Sequence, residues 1–379
     1  MKSPLVSLIA LTASVVSATA FAASNMENPL YMPKNREVYL KTGAAFMYKK
    51  ADSTEATRNK HMDGDVENPI WRFAGDIGYG ITDKLDIHGH FGYTHDEDIS
   101  RQGMHRGRIG LMYRALTEEK PVVVDLYVDS YLSGVSPMKG TYTNHGFDFD
   151  NYSNGRYGII AGTRFGKTWD KFTLAAHVEY LQTFGNHNNK IDIDPKLTPL
   201  KGKVADNPEL APLVAIPGMQ ETLENLTANQ LGFPNEIAVN LKSTHETVAG
   251  FDAMYQINSK WSFGGGFEYI EHSDNGVKSI HTKMKNPDGA TAELALLGTS
   301  APVVAQQLQD GVVDGLLEKT KNMKDGWDEY VIKANVAYSI SDDMQIAMFA
   351  EYTFDDSHSG SQNGTDIKAE AGFRFNARF

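Results

Sequence analysis

The last thirteen residues read Ile367-Lys368-Ala369-Glu370-Ala371-Gly372-Phe373-Arg374-Phe375-Asn376-Ala377-Arg378-Phe379. One parity carries Ile367, Ala369, Ala371, Phe373, Phe375, Ala377 and Phe379, and the other carries Lys368, Glu370, Gly372, Arg374, Asn376 and Arg378. Successive side chains of a strand point to opposite faces, so this repeat of two predicts a strand with one apolar and one polar face. A soluble domain would bury the apolar face in a core. Here the pattern continues to the final residue, and that residue is aromatic.

Working back along the chain, the same alternation recurs over 37–49, 71–81, 85–94, 106–114, 122–132, 157–165, 172–180, 249–257, 261–269, 330–338 and 344–354. The clearest case sets Trp71, Phe73, Gly75, Ile77, Tyr79 and Ile81 against Arg72, Ala74, Asp76, Gly78 and Gly80. Twelve strands result. Aromatic residues bracket several of the apolar stripes: Trp71 and Tyr79, Phe172 and Tyr180, Trp261 and Tyr269, Tyr330 and Tyr338. Such pairs are eight residues apart, about 26 Å of strand, or roughly 20 Å along the membrane normal at a tilt of ~40°. Amphipathic rings at both ends of an apolar stripe suit two water–lipid interfaces.

The terminal segment resembles the closing strand of Gram-negative outer-membrane β-barrels, which end in an aromatic residue read by the assembly machinery. The resemblance implies an all-β fold, an antiparallel transmembrane β-barrel of about twelve strands. It implies Phe373, Phe375 and Phe379 as the assembly signal. It also implies the cell outer membrane as location, with membrane lipid, lipopolysaccharide and the barrel-assembly machinery as partners. Oligomeric state is left open. An even strand count fits single-chain bacterial barrels.

The other end of the chain agrees. Lys2 precedes an apolar run from Pro4 to Val16, and Ala20-Phe21-Ala22 fits a signal-peptidase site. The expected organisation is a signal peptide over 1–22 and a barrel over 23–379. No other segment holds eighteen uninterrupted apolar residues, so no spanning helix is expected. The chain has no Cys, which excludes a disulfide framework, thiolate chemistry and a lipoprotein anchor. A formal charge of −12 argues against nucleic acid as a partner.

Connection lengths give an independent signal. Short joins such as Thr82-Asp83-Lys84, Asn258-Ser259-Lys260 and Ser341-Asp342-Asp343 carry turn residues. They alternate with longer segments over 50–68, 96–104, 134–155, 185–243, 274–326 and 356–365, as periplasmic turns alternate with extracellular loops. The loops 185–243 and 274–326 are too long for plain connections. Asn207 to Leu213, Thr222 to Leu231 and Thr291 to Lys321 have rough helical spacing, so helical insertions are expected there. Three readings stand open for them: an external cap, an inward plug, or an apolar ligand site.

The polar parity defines a candidate lumen. Its expected pore-lining residues are Arg72, Asp76, Asp86, His88, His90, Arg108, Arg114, Asp125, Asp129, Arg164, Glu179, Glu268, Lys333, Glu351, Glu370 and Arg374. Twelve strands enclose more space than side chains fill, though less than a sixteen-stranded porin. Charged walls of this kind either filter ions or pair into a stiffening network. His88 and His90 share a face, but a pair without a third ligand is read as ordinary polar histidines, and no metal is expected. His95, Asp96, Glu97, Asp98, His105, Glu271 and His272 gather near outer strand ends without matching a barrel-hydrolase motif. The expected function is a porin-like channel for small hydrophilic solutes or ions, with no cofactor and no enzymatic activity. The alternatives are a structural or adhesive barrel, then a barrel hydrolase or a transporter of hydrophobic ligands.

Overall fold

The structure is a computed structural model. It describes residues 25–50, 70–96, 101–132, 139–144, 146–149, 156–184, 189–202, 204–205, 211–273, 277–281, 310, 313–314, 327–355 and 366–379. The expected signal peptide lies outside them.

Seventeen strands follow in chain order among the described residues: β1 (Val38–Lys50), β2 (Ile70–Thr82), β3 (Leu85–Asp96), β4 (Arg101–Leu116), β5 (Val123–Leu132), β6 (Lys139–Thr143), β7 (Gly146–Phe149), β8 (Tyr157–Trp169), β9 (Phe172–Phe184), β10 (Asn189–Ile193), β11 (Glu236–Leu241), β12 (His245–Gln256), β13 (Trp261–His272), β14 (Val277–His281), β15 (Trp327–Ser341), β16 (Met344–Asp355) and β17 (Asp366–Arg378). Twelve of them close one barrel in the ring order β1-β17-β16-β15-β13-β12-β9-β8-β5-β4-β3-β2. These are the twelve segments that alternation marks out. The ring closes where β1 meets β17, with Tyr39 opposite Arg378 and Phe46 opposite Ala371. Val38 and Phe379 exchange both backbone hydrogen bonds, at 3.0 and 2.9 Å. Closure leaves the barrel without an unpaired edge, which a lipid environment demands.

The sorting of side chains is inverted relative to a soluble protein. Ile109 is 63 % exposed and Phe373 57 %, whereas Asp86 and Asp125 are fully buried. An apolar exterior around a polar interior is stable only when the exterior faces hydrocarbon. Aromatic pairs stand at both ends of that exterior. Trp261 packs on Tyr338 at 4.8 Å beside the short turns, and Tyr157 on Phe184 at 5.7 Å toward the long loops. The molecule is a transmembrane β-barrel of the outer-membrane type.

The long loops build a second unit. β6, β7, β10, β11 and β14 form a five-stranded sheet in the order β14-β11-β10-β6-β7, with β6 and β10 parallel. Its buried face includes Ile191, Ile193, Ile237, Val239 and Leu241, and Leu223, Leu231 and Phe233 pack with them. Two short helices, α1 (Ala211–Val214) and α2 (Met219–Glu224), sit in the same loop. The helical spacing read over Thr222 to Leu231 therefore yields a helix only up to Glu224. Beyond it Leu226, Leu231 and Gly232 close successive turns. Most of Thr291 to Lys321 lies outside the described residues.

Candidate functional site

The lumen holds a charged network, and the polar parity of each strand supplies it. Arg72 on β2 donates to Glu370 on β17 at 2.9 Å. Arg108 on β4 donates to Glu179 on β9 at 2.9 Å, crossing β5 and β8 to reach it. Tyr127 donates to the same Glu179 oxygen at 3.2 Å. Nearer the short turns, Asp125 accepts from Arg114 at 2.8 and 3.1 Å and from Arg164 at 3.0 and 2.6 Å. Lys333 donates to Glu268, and Glu351 stands opposite Lys333 in register.

Histidines sit between carboxylates. His88 has Asp86 at 2.9 Å on one ring nitrogen and Asp129 at 3.1 Å on the other. His90 contacts Asp76 at 2.6 Å. His177 lies 3.5 Å from Asp252 and 3.3 Å from Glu268. The His88 bridge passes over β4 at Gly110. A Cβ there would fall 1.9 Å from Asp129 Oδ1, so the bridge needs glycine under it. Asp86 sits two residues from His88 on β3, whereas Asp129 comes from β5, two strands away in the ring, a partner that sequence spacing does not show.

One structural device leaves no periodic signal in the sequence. Residues 25–37 do not trail away from the barrel; they cross its mouth at the short-turn end. Asn25 Nδ2 donates to Gln256 on β12, and its Oδ1 accepts from Gln345 on β16. Glu27 accepts from Asn335 on β15 at 2.7 Å and from Asn376 on β17 at 2.6 Å. Three residues on, the Leu30 carbonyl accepts from Arg114 on β4 at 2.6 Å. The Tyr31 carbonyl accepts from Arg164 on β8 at 3.2 Å. In the ring order β4 faces β15, and β8 faces β17, so the segment is tied to opposite walls. Met26 and Leu30 are buried in this crossing. Arg36 then donates its backbone N–H to Gly80 at 2.7 Å. A Cβ on Gly80 would meet the Lys34 carbonyl at 1.9 Å, so the exit path also depends on a glycine.

Local chemistry explains the shape of this plug. Pro29 and Pro33 cannot donate to a ladder and keep the segment out of the sheet. Asn25 and Asn28 accept from the backbone N–H groups of Glu27 and Leu30, giving turns that need no periodic pattern. Burial alone would raise the Glu27 carboxyl. The charges of Arg374 and Lys41 and the hydrogen bonds from Asn376 and Asn335 outweigh it and hold Glu27 below the usual carboxylate range. Arg374 Nε is 3.6 Å from Glu27.

Between the plug and the mid-lumen wall lies a cavity of about 290 Å³. Its lining draws Glu27 and Tyr31 from the plug, and Lys41, Asp86, Glu351 and Arg374 from the wall. Lys41 is absent from the expected lining, though it lies on the polar parity of β1. Of the three residues expected to form an assembly signal, Phe373 and Phe379 face outward and Phe375 is half-buried.

No family model matches this sequence, and no curated protein matches it. Solved structures do match. An outer-membrane channel from Pseudomonas putida F1 aligns over 95% of this chain and 100% of its own, with a TM-score of 0.50 and 10% identity. The NanC porin aligns over 90% and 98%, with a TM-score of 0.37 and 10% identity. The transport unit of the autotransporter AIDA-I from Escherichia coli aligns over 93% and 92%, with a TM-score of 0.38 and 11% identity. At such identities the first likeness shows the fold alone. Together with the twelve-stranded ring and its apolar exterior, it places this chain in the class of Gram-negative outer-membrane β-barrels.

Proposed function

We propose that this barrel is an outer-membrane channel for small hydrophilic solutes or ions, closed at its periplasmic mouth by its own N-terminal segment. The observation that carries the reading is the plug itself. A barrel with only a structural role needs no segment tied by polar contacts to opposite walls, above a charged cavity that side chains leave unfilled. The plug is held mainly by hydrogen bonds to lumenal polar groups, which exchange with water at a net cost of about 0.5–1.5 kcal/mol each. Such contacts suit a part that moves. The fold shared with a channel from Pseudomonas putida F1 supports the same reading. No catalytic step is part of it.

A second reading has its own support. Arg114, Asp125, Arg164, Arg108 and Glu179 are mutually satisfied, as a stiffening network would be. A structural barrel would then carry no current. Single-channel recording in planar bilayers separates the two. The full chain is expected to give small or infrequent openings, and a variant lacking residues 25–36 a larger, steadier conductance. Folded protein that passes no current with or without the segment would overturn the channel reading in favour of the structural one.

A further inference from the structure

Large side chains on the inner wall of the barrel lie over glycines, and they do so in a repeating order. Tyr39 on β1 pairs in register with Gly78 on β2, and Gly78 pairs with His88 on β3. His88 pairs with Gly110 on β4, and Gly110 with Asp129 on β5. Two positions back on β5, Tyr127 pairs with Gly162 on β8, and Gly162 with Glu179 on β9. Two positions back on β9, His177 pairs with Gly250 on β12, and Gly250 with Glu268 on β13. The belt covers nine consecutive strands of the ring, with its glycine on every second one.

In three of these rows the flanking side chains meet above the glycine. His88 reaches Asp129 at 3.1 Å, Tyr127 donates to Glu179 at 3.2 Å, and His177 lies 3.3 Å from Glu268. In the first row the Tyr39 ring lies over Gly78, and Tyr31 of the plug stands edge-on to that ring at 5.8 Å. A Cβ would fall 2.1 Å from the Tyr39 ring if placed on Gly78, and 2.3 Å from the Tyr127 ring if placed on Gly162. On Gly250 it would fall 2.8 Å from both His177 and Glu268. None of the four glycines has a positive φ, so backbone conformation does not call for them. Glycine inside a strand otherwise weakens it. What these positions supply is room for a neighbour to lie flat.

Side chains of a strand stand roughly perpendicular to the sheet, so an upright Tyr127 or His177 would project into the lumen. Twelve strands stand between about eight, whose interior side chains fill, and about sixteen, which leave an open passage. At this size the posture of the wall side chains decides how much passage remains. We propose that Gly78, Gly110, Gly162 and Gly250 set the bore of the channel, by seating the polar bridges flat against the wall. The same groups then satisfy one another without occupying the path of a solute. This assignment rests on the channel reading and names the residues that fix its size limit.

Single-channel recording on the full chain, with polyethylene glycols of graded size as blockers, tests the belt. Gly162→Ala is expected to lift Tyr127 off β8, to lower the unit conductance roughly twofold and to exclude smaller polymers than the parent does. Adding Tyr127→Ala removes the lifted ring and should return the unit conductance to the parent value or above. Gly89→Ala is the control, because it lies on the outward parity of β3 and its Cβ would come no closer than 3.4 Å to another atom. Unit conductance is read from open channels only, so a lower folded yield cannot imitate the effect. Heat-dependent gel mobility checks folding. Gly250→Ala, with His177→Ala as its restoring change, repeats the test on a second row if Gly162→Ala does not fold. The proposal is overturned if the folded glycine variants conduct like the parent, or if the loss persists after the lifted side chain is removed. Either result in a conducting parent leaves the channel reading standing. A folded parent that never conducts overturns the channel reading and the belt with it.

Discussion

Asp125 shows how one residue organises this lumen. Its carboxylate is fully buried and accepts from two guanidinium groups, Arg114 and Arg164. Those same arginines hold the Leu30 and Tyr31 carbonyls of the plug. The group therefore links wall to plug. Asp125→Asn keeps the shape and removes the charge, leaving two arginines to share a neutral partner. Removing one partner of a buried ion pair costs about 3–5 kcal/mol. We expect a loss of that order in urea unfolding of the refolded barrel, together with larger conductance as the plug loosens. An unchanged unfolding midpoint would mean that the Arg114 and Arg164 contacts are fully replaced by water.

At the scale of elements, what was legible depended on whether the signal was local. Each barrel strand announces itself, because lipid on one side and lumen on the other impose a repeat of two on every segment. Hence β17 could be read from Ile367 to Phe379 alone. The polar parity groups Arg72, Arg108, Arg114 and Asp125 on one face of their strands, but it says nothing of their partners. Arg108 meets Glu179 across β5 and β8, a choice fixed by ring order and not by sequence spacing. The loop sheet was missed for the same reason. β10 is only five residues long, and it pairs in parallel with β6 from a different loop. The plug was the least legible. Its bonds join Glu27 to Asn376 and Asn25 to Gln345, and its turns leave no periodicity. Its anchoring still makes a prediction. Glu27 is held below its ordinary value of 4.5, so its contribution is complete above that pH and is lost as the pH falls through the lower folded-state value. Conductance should therefore rise on acidification below about 4.5. Glu27→Gln should show the raised conductance already at pH 7 and no further step from this group. A variant that keeps the full acid response would take the sensing role away from Glu27.

For the whole molecule, the inside-out sorting decides what holds it together. Exposed residues such as Ile109, Val128 and Met348 gain nothing from a core, and only surrounding hydrocarbon makes their placement favourable. Every barrel strand is paired on both sides, so the folded ring should resist detergent until heated. Unheated protein is expected to migrate differently from boiled protein on a gel, and a single unshifted band would contradict the closed ring. Phe379 then separates folding from assembly. Its backbone already closes β1 to β17 through both hydrogen bonds with Val38, while its ring is 54 % exposed on the outer face. Phe379→Ala keeps those bonds and removes only an outward ring. Full burial of such a side chain is worth about 1.5–3 kcal/mol, so a half-exposed ring contributes less, too little to unfold a twelve-stranded ring. The variant should refold in vitro and show the heat-dependent shift. An assembly signal at this ring predicts that the variant reaches the cell surface poorly. Normal surface levels of Phe379→Ala would refute that role. Failure to refold in vitro would show instead that the ring stabilises the closing seam itself.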